Sequence, residues 1–141
     1  MYRQHLNALV EAWNTGSMDQ LDQYIHPEIV RHGPPSMNNS SANSLSDLKT
    51  IIADFRTAFP DLSLVLEEEN YLEGRSVVRW TFTGTNTGQG DFEPTGKRVH
   101  VSGISLAHYE DELLKEEYLH FDTADFFSQL GLINLAQAAT G

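Results

Sequence analysis

The hydrophobic period of this chain changes once along its length, and that change restricts the fold more than any other feature. Before residue 60 the apolar residues recur at helical spacing. Leu6, Leu9, Val10 and Trp13 form one stripe, and Leu48, Ile51, Ile52, Phe55 and Phe59 form another. From Leu62 onward the chain is rich in β-branched and aromatic residues that alternate between two faces. Helices first and sheet afterwards predict an α+β fold, with helices packed on one face of a curved, mostly antiparallel sheet. A chain of 141 residues suffices for one domain and one core, and the whole of 1–141 is read as a single domain.

Turn residues set the boundaries. Gly16 stops the first helix. A second helix is predicted over Met18 to Ile25, with Ser17 as its cap and Pro27 as its break. Glu28 to His32 reads as a short strand closed by Gly33-Pro34-Pro35. Residues 36–44 are polar and of low complexity, which predicts a flexible loop. Ser44 then caps the strongest helix, and Pro60 follows its end. Four strands are predicted over 62–72, 77–87, 98–109 and 113–121, with tight turns at Glu73-Gly74 and Asp111-Glu112. Asp122 caps a last helix over about 123–130, stopped by Gly131, and residues 134–141 form a tail.

Composition excludes several function classes. With 20 acidic and 9 basic residues the formal net charge is −11, which repels nucleic-acid backbones and anionic membranes. The chain contains no cysteine, so disulfides, thiolate metal sites and cysteine nucleophiles are absent. There is no apolar run long enough to span a bilayer and no leader pattern at Met1, so a cytoplasmic location is expected.

The third strand from the end has one face of Val78, Trp80, Phe82 and Gly84 and another of Val77, Arg79, Thr81 and Thr83. The first carries the large apolar area and is taken as the inner face. Antiparallel pairing across the 88–96 loop is expected to set Trp80 opposite Ser105 and Phe82 opposite Gly103. A three-residue loop in the next hairpin then puts Val99, Val101, Gly103, Ser105, Ala107, Lys115, Glu117, Leu119 and Phe121 inside. The outer face receives His100, Ile104, Leu106, His108, Leu114, Glu116, Tyr118 and His120, apolar enough to suggest a homodimer contact.

Several stretches resemble the SnoaL-like polyketide cyclases, a family within the nuclear transport factor 2-like cone fold. They are Ala12-Trp-Asn-Thr-Gly16, Asp22-Gln-Tyr-Ile-His-Pro-Glu28, Gly84-Thr-Asn-Thr-Gly88, Pro94-Thr-Gly-Lys97, Glu116 through Tyr118 to Asp122, and Gln129-Leu-Gly131. The resemblance covers about residues 8–133. It implies a cone-shaped α+β barrel whose sheet wraps on the N-terminal helices around a central small-molecule pocket. The usual Asp-Gly-Lys hairpin is replaced by Glu110-Asp-Glu-Leu113. In the nogalonic acid methyl ester cyclase type, an Asp acts on the polyketide with help from a His, a Gln and an Asn. The resemblance puts Leu119, Ser105, Gly103 and Arg31 at those four positions, so none of the four groups is retained.

Candidate chemistry therefore rests on other residues. Glu117, expected between Leu119 and a wall made by Trp80, is placed for general-base work; a rim Glu paired with Lys115 or Arg31 is the other reading. Arg31 suits an anionic or carbonyl oxygen of a ligand, or is a surface strand residue. His32 is the second catalytic candidate, since relatives carry a His near the pocket mouth there; a structural His is the alternative. Trp80, Phe82, Gly103, Ser105, Leu119 and Phe121 are expected to line the pocket. Asn86, where the family commonly has His, either meets the ligand or holds its loop. His108 and His120 are separated by about four strand residues, roughly 13 Å, too far apart to share zinc with Asp122. No metal and no cofactor are expected. The chain thus reads either as a cofactor-free acid–base enzyme on a lipophilic carbonyl-bearing or cyclic molecule, or as a ligand-binding or structural dimer of the same fold.

Overall fold

A computed structural model describes residues 2–37 and 40–134. The expected tail falls almost entirely outside the described residues, as do two residues of the 36–44 stretch. The elements are α1 (Arg3–Thr15), α2 (Leu21–Tyr24), β1 (Ile25–His32), α3 (Leu45–Ala58), β2 (Ser63–Leu72), β3 (Arg75–Thr85), β4 (Arg98–Glu110), β5 (Leu113–Phe121) and α4 (Thr123–Gln129). The strands form one sheet in the order β1-β5-β4-β3-β2. All pairs are antiparallel except β1 with β5, which is parallel. The fold is the predicted α+β class, with α1 and α3 packed on the inner face of the curved sheet.

Capping follows local chemistry. Ser44 Oγ accepts from the Asp47 backbone N–H, and Asp47 Oδ2 accepts in return from Asn43 N–H, which satisfies orphan donors at the start of α3. Asp122 accepts from the Asp125 N–H at the start of α4. The expected second helix is cut to four residues, and Ser17 does not cap it; the residue before α2 is Gln20, with no side-chain cap. Strand β1 begins at Ile25 instead, because Ile25 is fully buried and pairs with Leu114 of β5. Tertiary pairing overrides the weak helical preference of so short a segment.

The inner face of β3 and β4 is the expected one. Val78, Trp80, Phe82, Val99, Val101, Ser105 and Ala107 are all buried. The register, however, differs by two residues: Trp80 pairs with Gly103, Phe82 with Val101 and Val78 with Ser105. A slip of two keeps every side chain on its own face, so the face assignment survives the error.

The β4–β5 hairpin departs further from expectation. Glu110 pairs with Leu113, leaving a two-residue turn of Asp111 and Glu112, both in the left-handed region at φ 52° and 66°. The register then jumps, with Tyr109 opposite Leu114 but His108 opposite Glu116, so Lys115 is an extra residue in β5. This bulge reverses the alternation. Leu114, expected outside, is buried inside, and Lys115, expected inside, reaches the Glu28 carbonyl on β1 at 3.0 Å.

Three carboxamides clip irregular segments to backbone. Asn14, at the end of α1, donates to Leu64 C=O at 2.9 Å and accepts from Leu64 N–H at 2.7 Å, covering the edge of β2. Gln129 does the same for His100 on β4, at 3.0 and 2.7 Å. Asn86, fully buried, donates to Ala58 C=O and accepts from Thr95 N–H, which fixes the 88–96 loop. Each satisfies donors and acceptors that would otherwise lack ladder partners.

Candidate active site

The helices and the concave face of the sheet enclose a chamber of about 100 Å³. Its walls are aromatic and aliphatic: Trp13 from α1, Phe55 from α3, Trp80 and Phe82 from β3, Leu119 and Phe121 from β5, and Phe126 from α4. Five polar residues interrupt this lining, namely Arg31, Ser40, Ser76, Ser105 and Glu117. Among the described residues Arg31 and Glu117 are its only ionisable side chains. An outer pocket of about 490 Å³, lined by Met37, Ala58 and Phe92 among others, shares Phe55 and Phe126 with the chamber.

Arg31 and Glu117 are register partners on the parallel strands β1 and β5. No ion pair joins them. Arg31 is buried, with 6% of its surface exposed, and its guanidinium carbon lies 5.6 Å from the centroid of the Trp13 ring. Its backbone exchanges two hydrogen bonds with Ala42, at 2.8 and 3.0 Å. Within the stretch expected to be a loop, Ser40 and Ala42 are thus buried against the end of β1. The Arg31 Nε is buried without a hydrogen-bond partner.

Ser105 and Ser76 are already engaged. Trp80 Nε1 donates to Ser105 Oγ at 3.0 Å, which fixes the indole across the chamber. Ser76 Oγ bonds the Tyr109 hydroxyl at 2.9 Å. Burial pushes the Tyr109 hydroxyl well above the ordinary tyrosine value, and the nearby Glu117 charge pushes in the same direction. Tyr109 therefore stays protonated and does not serve as a base.

The remaining candidates separate clearly. Arg31, Trp80, Phe82, Ser105, Glu117, Leu119 and Phe121 all line the chamber. His32 does not. Alternation along β1 turns Arg31 inward and His32 outward, where it stacks on Tyr118 at 4.4 Å and bonds Glu116 at 2.8 Å. That hydrogen bond holds the Glu116 carboxyl below its usual range. Asn86 lies away from the chamber, its side chain spent on the loop. Gly103 is covered by the Trp80 ring, which occupies the place of its missing side chain. Sequence reasoning missed Ser40, Ser76 and Leu114, and it assigned none of the aromatic walls Trp13, Phe55 and Phe126 to the pocket. Ser40 sits in a low-complexity stretch and Leu114 beyond a bulge, and neither carries a signal in the sequence. No group of three or more His, Asp or Glu residues able to hold a metal ion occurs among the described residues.

The fold and chamber together define a pocketed α+β cone. The chain belongs to the SnoaL-like polyketide cyclase family, whose model matches residues 3–130. Among solved structures it is similar to TsrD of Streptomyces laurentii, at 26% identity over 93% of this chain and 95% of that one, with a TM-score of 0.81. It also resembles AclR of Streptomyces galilaeus, a proposed hydroxylase, at 23% identity, 94% and 96% coverage and a TM-score of 0.75. A third is IdmH of Streptomyces antibioticus, a proposed polyketide cyclase, at 19% identity, 92% and 97% coverage and a TM-score of 0.74. No curated protein matches the chain by sequence. No described helix is long and apolar enough to cross a membrane.

Proposed function

We propose that this chain is an acid–base enzyme that needs no cofactor and acts on a lipophilic, carbonyl-bearing or cyclic small molecule held in the chamber, with Glu117 as its general base. The observation that carries this reading is the placement of one carboxylate and one guanidinium as the only ionisable groups, among the described residues, lining a mostly apolar chamber. A carboxylate near a bound carbonyl can take a proton from the adjacent carbon, provided that the ligand positions that carbon within hydrogen-bond reach. The fold does not choose the reaction, since neighbours of the same architecture are named for a hydroxylase and for a polyketide cyclase.

A second reading has its own support. The sequence resemblance puts Leu119, Ser105, Gly103 and Arg31 at the four family acid–base positions, and the Ser105 hydroxyl is occupied by Trp80. A protein that kept the cone and lost the reaction would bind ligand without turning it over. In either case a homodimer joined through the outer face of β4 and β5 is part of the proposal, because Ile104 is 50% exposed there.

Both tryptophans of the chain line the chamber, so intrinsic fluorescence reports its occupancy directly. The test is a titration of wild type and Glu117→Gln with single-ring ketones, read by tryptophan quenching and thermal shift. Binding by both forms, with turnover in wild type alone, is the expected result. Ligands that raise the melting temperature without quenching either tryptophan would place the site elsewhere.

A further inference from the structure

A guanidinium nine-tenths buried beside an indole is an unusual component of an apolar chamber. Its Nε has no hydrogen-bond partner, and no ion pair reaches Arg31 among the described residues. A buried N–H left in this state costs stability, because water has been removed and no hydrogen bond has replaced it. Most buried polar groups in folded proteins are satisfied, so an exception at the wall of a pocket points to a group that is not part of the chain. Glu117, its register partner on the neighbouring strand, is the obvious internal counter-ion, yet no ion pair joins the two. Arg31 lines the chamber with the Trp13 indole beside its guanidinium, and the other aromatic side chains of the wall can take a flat apolar body.

We propose that Arg31 is the specificity residue of this chamber and selects ring-bearing ligands that carry one anionic oxygen, a carboxylate or an enolate, over their neutral isosteres. The inference rests on the chamber being the ligand site, as argued above. The forked donor geometry matches a planar two-oxygen anion, and the interaction is charge-assisted in a site with little water. With a formal net charge of −11 the protein as a whole offers such a ligand no attraction, so a favourable charge has to be local. Long-range repulsion from the acidic surface is screened beyond about 8–10 Å in physiological salt, so the contact with Arg31 decides the outcome. An enolate held there is also the species that forms when a base removes a proton beside a carbonyl. Arg31 would then stabilise the charge that Glu117 generates.

The experiment is calorimetric titration of the full chain with benzoate and cyclohexanecarboxylate, each against its own amide, in wild type, Arg31→Lys, Arg31→Met and Glu117→Gln. Wild type is expected to bind each acid roughly tenfold or more tightly than the amide. Arg31→Lys keeps part of that preference, and Arg31→Met abolishes it while still binding the amide. Glu117→Gln increases the preference, because a negative charge facing the ligand is gone. If wild type binds acid and amide equally, the anion inference is overturned and the chamber remains the site. If neither acid nor amide binds, the chamber reading fails and takes this inference with it. Should Arg31→Met not fold, as judged by circular dichroism, the Glu117→Gln arm still decides: an unchanged or reduced acid preference there contradicts the proposal.

Discussion

The indole of Trp80 occupies the space that a side chain at Gly103, its cross-strand partner, would fill. The ring lies flat enough to reach Ser105 at 3.0 Å and to form one wall of the chamber. Gly103→Ala is therefore expected to displace the ring and break that hydrogen bond. Overpacking of this kind costs about 1–3 kcal/mol. Urea unfolding followed by tryptophan fluorescence measures it, and a variant as stable as wild type would mean that the ring moves freely.

Glu112 sits at the second centre of the β4–β5 turn with φ 66°, a conformation that suits glycine. The cost is tolerated because His5 Nε2–H donates to the Glu112 carbonyl at 2.7 Å and pins the turn to α1. Glu112→Gly keeps that carbonyl and removes the strain of the Cβ. It should stabilise the protein by about 0.5–1 kcal/mol, a shift visible in the urea midpoint.

Asp61 accepts from the Thr85 backbone N–H at 2.7 Å and from its hydroxyl at 2.9 Å. These bonds, the backbone one foremost, hold its carboxyl below the ordinary aspartate value. A carboxyl depressed in the fold contributes stability above its unfolded value, about 3.9, and loses it as pH falls through the lower folded value. The stability difference between wild type and Asp61→Ala should thus be constant near neutrality and vanish in strong acid. It should not exceed about 1 kcal/mol, since the carboxylate is exposed to water. A difference that grew on acidification would contradict the assignment.

Ile104 faces outward from β4 at 50% exposure, opposite His120. Light scattering at about 50 μM should give a dimer for wild type, since contacts of ordinary size hold at that concentration. Ile104→Glu should give a monomer of unchanged fold. A wild-type monomer under those conditions would remove the proposed contact.

Much of the fold could be read from the sequence because its recurring motifs are structural. Asn14, Asn86 and Gln129 each satisfy a backbone donor and acceptor, so the stretches that carry the resemblance describe the scaffold and not the chemistry. The inner face of β3 was legible from Trp80 and Phe82, and a register error of two left it intact. The site was less legible. One extra residue at Lys115 exchanges the roles of Leu114 and Lys115, and no composition signal marks it. Arg31 and His32 are adjacent polar residues, and alternation allows only one to face the chamber. Which one does so depends on the pairing of β1 with β5 at the far end of the chain.

The claim that Glu117 acts as a base in this chamber is tested most directly by proton exchange at the carbon beside a bound carbonyl. A single-ring ketone is incubated in deuterated buffer with enough protein to saturate the tryptophan quench, and loss of the α-proton signal is followed by nuclear magnetic resonance. Wild type should accelerate exchange, and His32→Ala should match it, because His32 lies on the outer face. Glu117→Gln should lose roughly 10²–10⁴-fold, the usual contribution of a positioned base. Exchange that continues at the wild-type rate in Glu117→Gln, or a saturated wild-type complex with no acceleration at all, would contradict the account.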